Sequence, residues 1–385
     1  MTRNVLVLFG GQSPEHPVSI VTAVGVLNAL DTNHYTPIPV GINADGDWVL
    51  AGTHQRPDTP WSVATLINQQ PQEATHTTTT ALTEELPEVP LTTTPVALRS
   101  INSQNQLIDA TGQVIAKIDV AFPLLHGPNG EDGTVQGLFE TLNIPYVGAG
   151  VLASAVGMDK HFMKIAFQHA GLNVGPWVTI NNADWKNNRD TVLNQIAELD
   201  LPLFVKPARG GSSLGIKRVT MLSQLEEAIE FARTYDTKVV VEQGILGREI
   251  ECGVLDSLGG ARPQASYPGE IVVTTDENED FQFYDFTSKY QSADSAELSC
   301  PAELPDTATQ LVREQSIRAF QAVDAAGLSR VDFFYTDDGE LIINEINTMP
   351  GFTPISMYPQ MWQRTGIEYP QLIDTLLELA QQHSS

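Results

Sequence analysis

The chain has 385 residues, enough for two or three domains with sizeable cores. Lys+Arg 21 against Asp+Glu 47 leaves a net charge of −26; such a field repels nucleic acid and anionic membrane, and any phosphate site must be built from locally placed lysines, arginines and backbone N–H groups. Two cysteines make no disulfide framework, and no apolar run approaches a signal sequence or the ~20 residues of a membrane span, so a reducing cytoplasm is the expected location.

Val5 to Phe9 reads as a buried strand ending in Gly10-Gly11, after which Val18, Val21, Val24, Leu27 and Leu30 recur at helical spacing. The turn GGQSPEH lacks G-x-G-x-x-G, which argues against a dinucleotide-binding oxidoreductase. Glu15 and His16 stand at the mouth of this turn, ahead of a Pro17 suited to the first helical position. Glu15 there fits either a binding site or a charge that complements the helix dipole. From Asn68 to Pro95 the composition shifts to Gln, Thr, Pro and Glu, predicting an exposed insertion with one strand near Val96 to Arg99. Ile118 to Leu125 is a continuous apolar run of the parallel-strand type, and the loop His126 to Gly133 follows it where open α/β sheets bind ligands. Loop geometry explains its glycines but not the accumulation of His126, Glu131 and Asp132.

Gly148-Ala149-Gly150 leads through Met158-Asp159-Lys160 into a helical stretch from His161 to Ala170. The strand Pro202 to Val205 runs into Lys206-Pro207-Ala208-Arg209-Gly210-Gly211-Ser212-Ser213-Leu214-Gly215. Its lysine precedes the glycines, so this is no Walker A loop. It can still cover a phosphate with backbone N–H groups, serine hydroxyls and a point charge, or be a flexible glycine hairpin. Val239 to Val241 is a strand ending in Glu242-Gln243, and Gly247 to Glu251 follows at once. Thr274 to Cys300 has the length and polarity of a lid or binding loop. Ser329 to Phe334 and Leu341 to Asn347 then read as two buried strands joined by a hairpin turn at Asp337-Asp338-Gly339. Period-two geometry puts Glu345 and Asn347 on one face, and the hairpin brings Asp332 to them. Three oxygen donors with no His or Cys suit Mg²⁺ shared with nucleotide phosphates. A structural ion pair between Glu345 and Arg330, with Asn347 opening the turn to Pro350-Gly351, fits the same residues. Tyr369 to Gln382 should be a closing amphipathic helix.

Taken in order, GGQSPEHPVS, LLHGPNGEDGTVQG, MDK, VKPARGGSSLG, VEQGILGREIE, DFTSKY, SRVDFF and NEINTMPGFTPIS resemble the D-alanine:D-alanine ligases of the ATP-grasp superfamily, from about Val5 to the C-terminal helix. The resemblance implies an α/β and α+β fold in a three-domain ATP-grasp architecture. Residues 1–148 would be an N-terminal parallel-sheet α/β domain carrying the insertion 68–95, 149–241 a central ATP-grasp unit, and 242–385 a C-terminal unit with the metal site and a mobile loop at 274–300. It also implies ligation of two D-alanines through a D-alanyl phosphate, for peptidoglycan precursors. ATP and D-alanine would be the partners, with two Mg²⁺ (Mn²⁺ as a substitute), no nucleic acid or membrane, and a homodimer.

The same resemblance distributes roles. Lys160 and Lys206 would touch the ATP phosphates, with Ser212 and Ser213 in the loop that covers them. Glu242 and Glu249 would contact adenine and ribose, and Gln243 stands where some members carry Lys. Asp332, Glu345 and Asn347 would be the metal ligands. Glu15, His126, Arg330, Gly351, Ser356 and Met357 would line the dipeptide site, with Arg330 and the Gly351 N–H holding the oxyanion. Lys289 and Tyr290 belong to the closing loop, and the Tyr290 hydroxyl would link Ser212 and Glu15, favouring D-alanine over D-lactate. Met357 offers no charged donor for the hydroxyl of D-serine, which makes that substrate poor and not excluded. Met349 replaces a small residue with no expected effect on the chemistry. A catalytically silent regulator should have lost a phosphate lysine or a metal ligand, and none is lost.

Overall fold

The computed structural model describes residues 2–51, 59–67, 86–90, 94–273 and 296–383. Arg3–Gly10 (β1) pairs in parallel with Tyr35–Ile42 (β2), and Trp48–Leu50 (β3) lies antiparallel on β2. Val96–Ile101 (β4), Gln104–Asp109 (β5) and Val114–Lys117 (β6) form a separate antiparallel meander, and Val120–Pro123 (β7) returns to β1 in parallel. The sequence predicted only the first strand of the meander. Asn102 and Ser103, with φ of 52 and 60, form a two-residue turn that folds the next strand back. Of the expected insertion 68–95, residues 68–85 and 91–93 lie outside the described residues, as does 274–295 with Lys289 and Tyr290.

β1 is buried on both faces, and its alternation divides the surrounding core. Val5, Val7 and Phe9 pack with the helix His16–Ala29 and with Trp362, Leu372 and Leu376 of the helices Met357–Thr365 and Tyr369–His383. Leu6 and Leu8 pack with Val135 and Phe139 of the helix Thr134–Leu142. The helix expected to close the end of the chain therefore completes the core of the first sheet.

Trp177–Ile180 (β8), Leu203–Pro207 (β9), Lys217–Val219 (β10) and Val239–Gln243 (β11) make an antiparallel sheet in the order β10-β9-β11-β8. The boundary expected at residue 241 falls inside β11, whose pairing runs on to Gln243. The change of sheet comes in the turn 244–247, because the Glu242 and Gln243 backbones are still tied to β9. Arg248–Leu255 (β12), Gln264–Ala265 (β13), Gly269–Val273 (β14), Ala296–Ser299 (β15), Leu328–Tyr335 (β16) and Leu341–Asn347 (β17) form the remaining sheet, ordered β15-β14-β12-β16-β17 with β13 on β12. One face of it, through Ile250, Val331, Phe333 and Ile343, shares a core with the helix Asp306–Ala322 and with Met163 and Phe167 of the helix Lys160–His169. Cys252 is buried in this core, as its apolar surroundings in the sequence predicted.

Candidate active site

The β16–β17 hairpin sets Arg330 opposite Asn347 and Asp332 opposite Glu345. Phe333 then pairs with Ile343, so Asn344 is an extra residue and the strand bulges there. The bulge lets Ile343 and Ile346, three apart, both enter the core while Glu345 and Asn347 stay out of it. An ion pair does form, but with a different carboxylate from the one anticipated. Arg330 grips Asp332 with both arms of its fork, Nε to Oδ1 at 2.7 Å and Nη2 to Oδ2 at 2.6 Å, and its Nε lies 3.1 Å from Glu251 Oε1. Burial works against the guanidinium charge, yet Asp332 and Glu251 outweigh it and hold its pKa well above the usual value. Asn347 Nδ2 also donates to Asp332 Oδ2 at 3.0 Å, which leaves its Oδ1 as an acceptor.

The cationic side of the site comes from β9, β11 and the helix Lys160–His169. Lys206 Nζ donates to Glu242 Oε2 at 2.6 Å, and Lys164 Nζ lies 3.2 Å from Glu242 Oε1. Burial alone would raise the Glu242 pKa, but the two lysines overcome it and hold the carboxyl at about 2. Lys206 responds in the complementary direction: burial would lower its pKa, and Glu242 raises it beyond that. Lys160, whose Nζ donates to Gly210 O at 3.0 Å, has its pKa lowered by burial, with Glu345 opposing. Sequence reasoning passed over Lys164. Its signal was the i, i+4 repeat with Lys160, which puts two like charges on one helical face in an acidic chain, a pairing unfavourable on a bare helix.

The glycine loop is anchored at its base. Asp236 accepts from the Arg209 backbone N–H at 3.0 Å, from Nε at 2.9 Å and from Nη2 at 2.7 Å. Lys160 N–H donates to Ala208 O at 3.0 Å, and Asp159, which caps the lysine-bearing helix, is held by Lys238 Nζ at 2.8 Å. Lysine helix and glycine loop are thereby tied together.

The first sheet contributes Glu15. Gly10 (φ +88) must be glycine, since a Cβ there would run into Ile42 O. His16 ties the turn down, with Nδ1 donating to Gly11 O at 2.7 Å and Nε2 accepting from Val89 N–H at 3.0 Å. Glu15 makes no side-chain cap on the helix; instead its Oε1 accepts the Ser212 hydroxyl, which joins the first sheet to the glycine loop. A Cβ at Gly127 or Gly211 would lie 2.6 or 2.9 Å from Glu15 Oε2, so both glycines make room for this carboxylate. Beside it, burial and then Glu15 push Glu131 up to about 8, while burial lowers the His126 pKa against the pull of Glu15.

At the far end, Ser356 Oγ accepts from Thr353 N–H at 3.1 Å, and a Cβ on Gly351 would sit 3.3 Å from the same oxygen. Met357 is buried with its Sδ against Gly269, the first residue of β14. Gln243 has its N–H on Pro176 O and its side-chain oxygen on Asp200 N–H, both at 3.1 Å. Every anticipated site residue among the described ones, Glu249 included, lines one cavity of 730 Å³, and Glu131, Lys164 and Glu251 join them.

A cleft with a glycine loop and lysines on one antiparallel sheet, acidic side chains on another and a parallel α/β unit at its mouth defines an ATP-grasp protein. Comparison with known proteins narrows the class. Residues 4–149 match the family described as D-ala D-ala ligase N-terminus, and residues 166–378 that described as D-ala D-ala ligase C-terminus. The D-alanine--D-alanine ligase of Pseudarthrobacter chlorophenolicus is 53% identical over 381 residues, covering 98% of this chain and 93% of that protein. That of Bifidobacterium adolescentis is 44% identical, covering 98% of each. Among solved structures, the VanG D-Ala:D-Ser ligase from Enterococcus faecalis superposes with a TM-score of 0.80 at 34% identity, over 99% of this chain and 100% of that one. The D-alanine-D-alanine ligase from Coxiella burnetii gives 0.77 at 32%, over 100% and 95%. The chain therefore belongs to the D-alanine–D-alanine ligase family, as its motifs led us to expect.

Proposed function

We propose that the protein joins two D-alanine molecules into D-alanyl-D-alanine at the expense of ATP, supplying a peptidoglycan precursor. The observation that carries this is the convergence on one cavity of Lys160 and Lys206, the Glu15–Ser212 link and the hairpin carrying Arg330, Asp332, Glu345 and Asn347. A carboxylate is a poor electrophile, so the first D-alanine takes the γ-phosphoryl group and becomes an acyl phosphate. Lys160 and Lys206 neutralise charge on the transferring group, with the Gly210 to Gly215 loop over it. The second amine then attacks the acyl carbon, and Arg330 with the Gly351 N–H holds the oxyanion; ADP and phosphate leave with the dipeptide. Phe204, Leu246 and Ile342 supply apolar lining suited to a purine, with Glu242, Gln243 and Glu249 at the polar end.

The hairpin suits Mg²⁺: Asp332, Glu345 and the Asn347 carbonyl oxygen are hard donors on adjacent register positions. When bound there, Mg²⁺ supplies charge neutralisation at the phosphates. Mn²⁺ shares this preference for oxygen. For the second substrate, the buried thioether of Met357 against Gly269 favours an alanyl methyl over a hydroxymethyl group. The reading extends to the units 1–148, 149–243 and 248–385, to a homodimer testable by light scattering, and to a cytoplasmic setting; among the described residues no helix is long and apolar enough to cross a membrane. The deciding experiment is ADP release dependent on D-alanine, with product analysis against D-serine and D-lactate. D-Alanyl-D-alanine should dominate, and an ester or D-alanyl-D-serine as the main product would overturn the assignment.

A further inference from the structure

The backbone of Met349 is gripped at both its N–H and its carbonyl by the loop that follows β7. Its N–H donates to Glu131 Oε1 at 3.1 Å, and its carbonyl accepts from His126 Nδ1 at 3.1 Å. The second oxygen of Glu131 accepts the Gly127 N–H at 2.8 Å. These contacts cross 218 and 223 residues of sequence and join the first unit of the chain to the turn that leads out of the metal hairpin. A carbonyl can only accept, so the proton of a neutral His126 is fixed on Nδ1. Its Nε2 is buried without a partner among the described residues, in a side chain that lines the cavity.

Nothing assigned to the reaction so far requires Glu131, yet its two oxygens each hold a backbone N–H. A carboxyl group can do this even when protonated, because its hydroxyl oxygen still accepts while its proton turns aside, whereas a carboxamide has one oxygen and would turn an NH₂ towards the other N–H. The Met349 peptide lies two residues before Gly351, and Gly351 packs against Ser356 Oγ. Whatever fixes Met349 fixes both groups relative to Glu15.

We propose that Glu131 is a positioning residue for the second half-reaction: it clamps the Met349 to Gly351 turn so that the Gly351 N–H and the Ser356 hydroxyl meet the incoming D-alanine in register. This rests on the ligase reading above and adds a residue that acts through the backbone it holds. Phosphoryl transfer, organised by the lysines and the glycine loop, does not depend on this clamp; attack on the acyl carbon does. The two half-reactions therefore separate when it is loosened.

The test compares wild type with Glu131→Gln for ATP KM, ADP released per dipeptide formed, and D-alanyl phosphate trapped as the hydroxamate by hydroxylamine. In the variant, ATP KM should stay within about twofold, dipeptide formation should fall by about tenfold or more, as for a misplaced reacting group, and ADP release should exceed dipeptide with hydroxamate accumulating. Glu131→Asp keeps two acceptor oxygens on a shorter arm and should recover part of the coupling; it also serves if the Gln variant does not fold. One ADP per dipeptide in both variants at wild-type rates would overturn the clamp while leaving the ligase reading intact. A parallel loss of ATP affinity and dipeptide formation would overturn it too, as a general structural effect. Absence of D-alanine-dependent ADP release in wild type would instead sink the ligase reading, and the clamp with it.

Discussion

Replacing Glu242 by Gln keeps the volume and removes the anion between Lys164 and Lys206. The carboxyl is 8% exposed, and its displacement from an ordinary 4.5 to about 2 is worth roughly 3 kcal/mol at 1.36 kcal/mol per pH unit. That agrees with the ~3–5 kcal/mol typical of breaking a buried pair and stranding its partner. The assay is the denaturant-induced unfolding of both proteins at several pH values. A group whose folded pKa is depressed adds stability that is complete above its unfolded pKa and fades as pH falls towards its folded one. The gap between the proteins should therefore be full and flat above about pH 5, narrow by about 1.4 kcal/mol per unit below 4.5, and close near pH 2. A gap under about 1 kcal/mol at pH 7 would mean that solvent screens the trio after all. A gap unchanged between pH 5 and 3 would refute the electrostatic account.

Glu345→Gln should leave circular dichroism unchanged while abolishing dipeptide formation, because it removes one charge opposite Asp332; wild-type turnover at saturating Mg²⁺ would exclude Glu345 from the metal site. Gly127→Ala forces a Cβ to within 2.6 Å of Glu15 Oε2 at a φ of +72, so D-alanine turnover should fall well before ATP binding does; unaltered kinetics would show that Glu15 can move aside at no cost. Arg330→Lys replaces a two-armed grip on Asp332 with a point charge, and kcat should drop by about 10²- to 10³-fold, a range measurable by coupled ADP release. A decrease below about fivefold would count against Arg330 as an oxyanion donor.

The strands and loops carrying the site were readable because their polar residues interrupt apolar runs at period two, as Glu345 and Asn347 do. What the sequence hid was the pairing of those residues in space. Arg330 grips Asp332, its own neighbour but one on β16, with Glu345 adding to the favourable field around it, an arrangement that residue types alone do not specify. The part played by Glu131 was hidden because its partners are backbone groups of Gly127 and Met349, and backbone donors leave no trace in residue type. The hairpin at Asn102-Ser103 was missed for a related reason: neither residue is glycine, though both take positive φ. Glu15 is a further case. Its side chain makes no helix cap and instead accepts the Ser212 hydroxyl from nearly two hundred residues away, a link that position in the sequence did not show.

The helix Tyr369–His383 roofs a sheet in which Arg3–Gly10 is one of the two inner strands. During synthesis at about 5–20 residues per second, Val5, Val7 and Phe9 are followed at once by the helix His16–Ala29, but they leave the ribosome tens of seconds before Trp362, Leu372 and Leu376, which complete their cover. Through that interval the part of this face that the late helices cover in the finished fold is apolar surface without its native partner. The sheet and lysine helix between can fold in sequence, but this first unit is completed last. Removing residues 369–383 should therefore expose the opening strand to aggregation, even though none of them lines the active-site cavity.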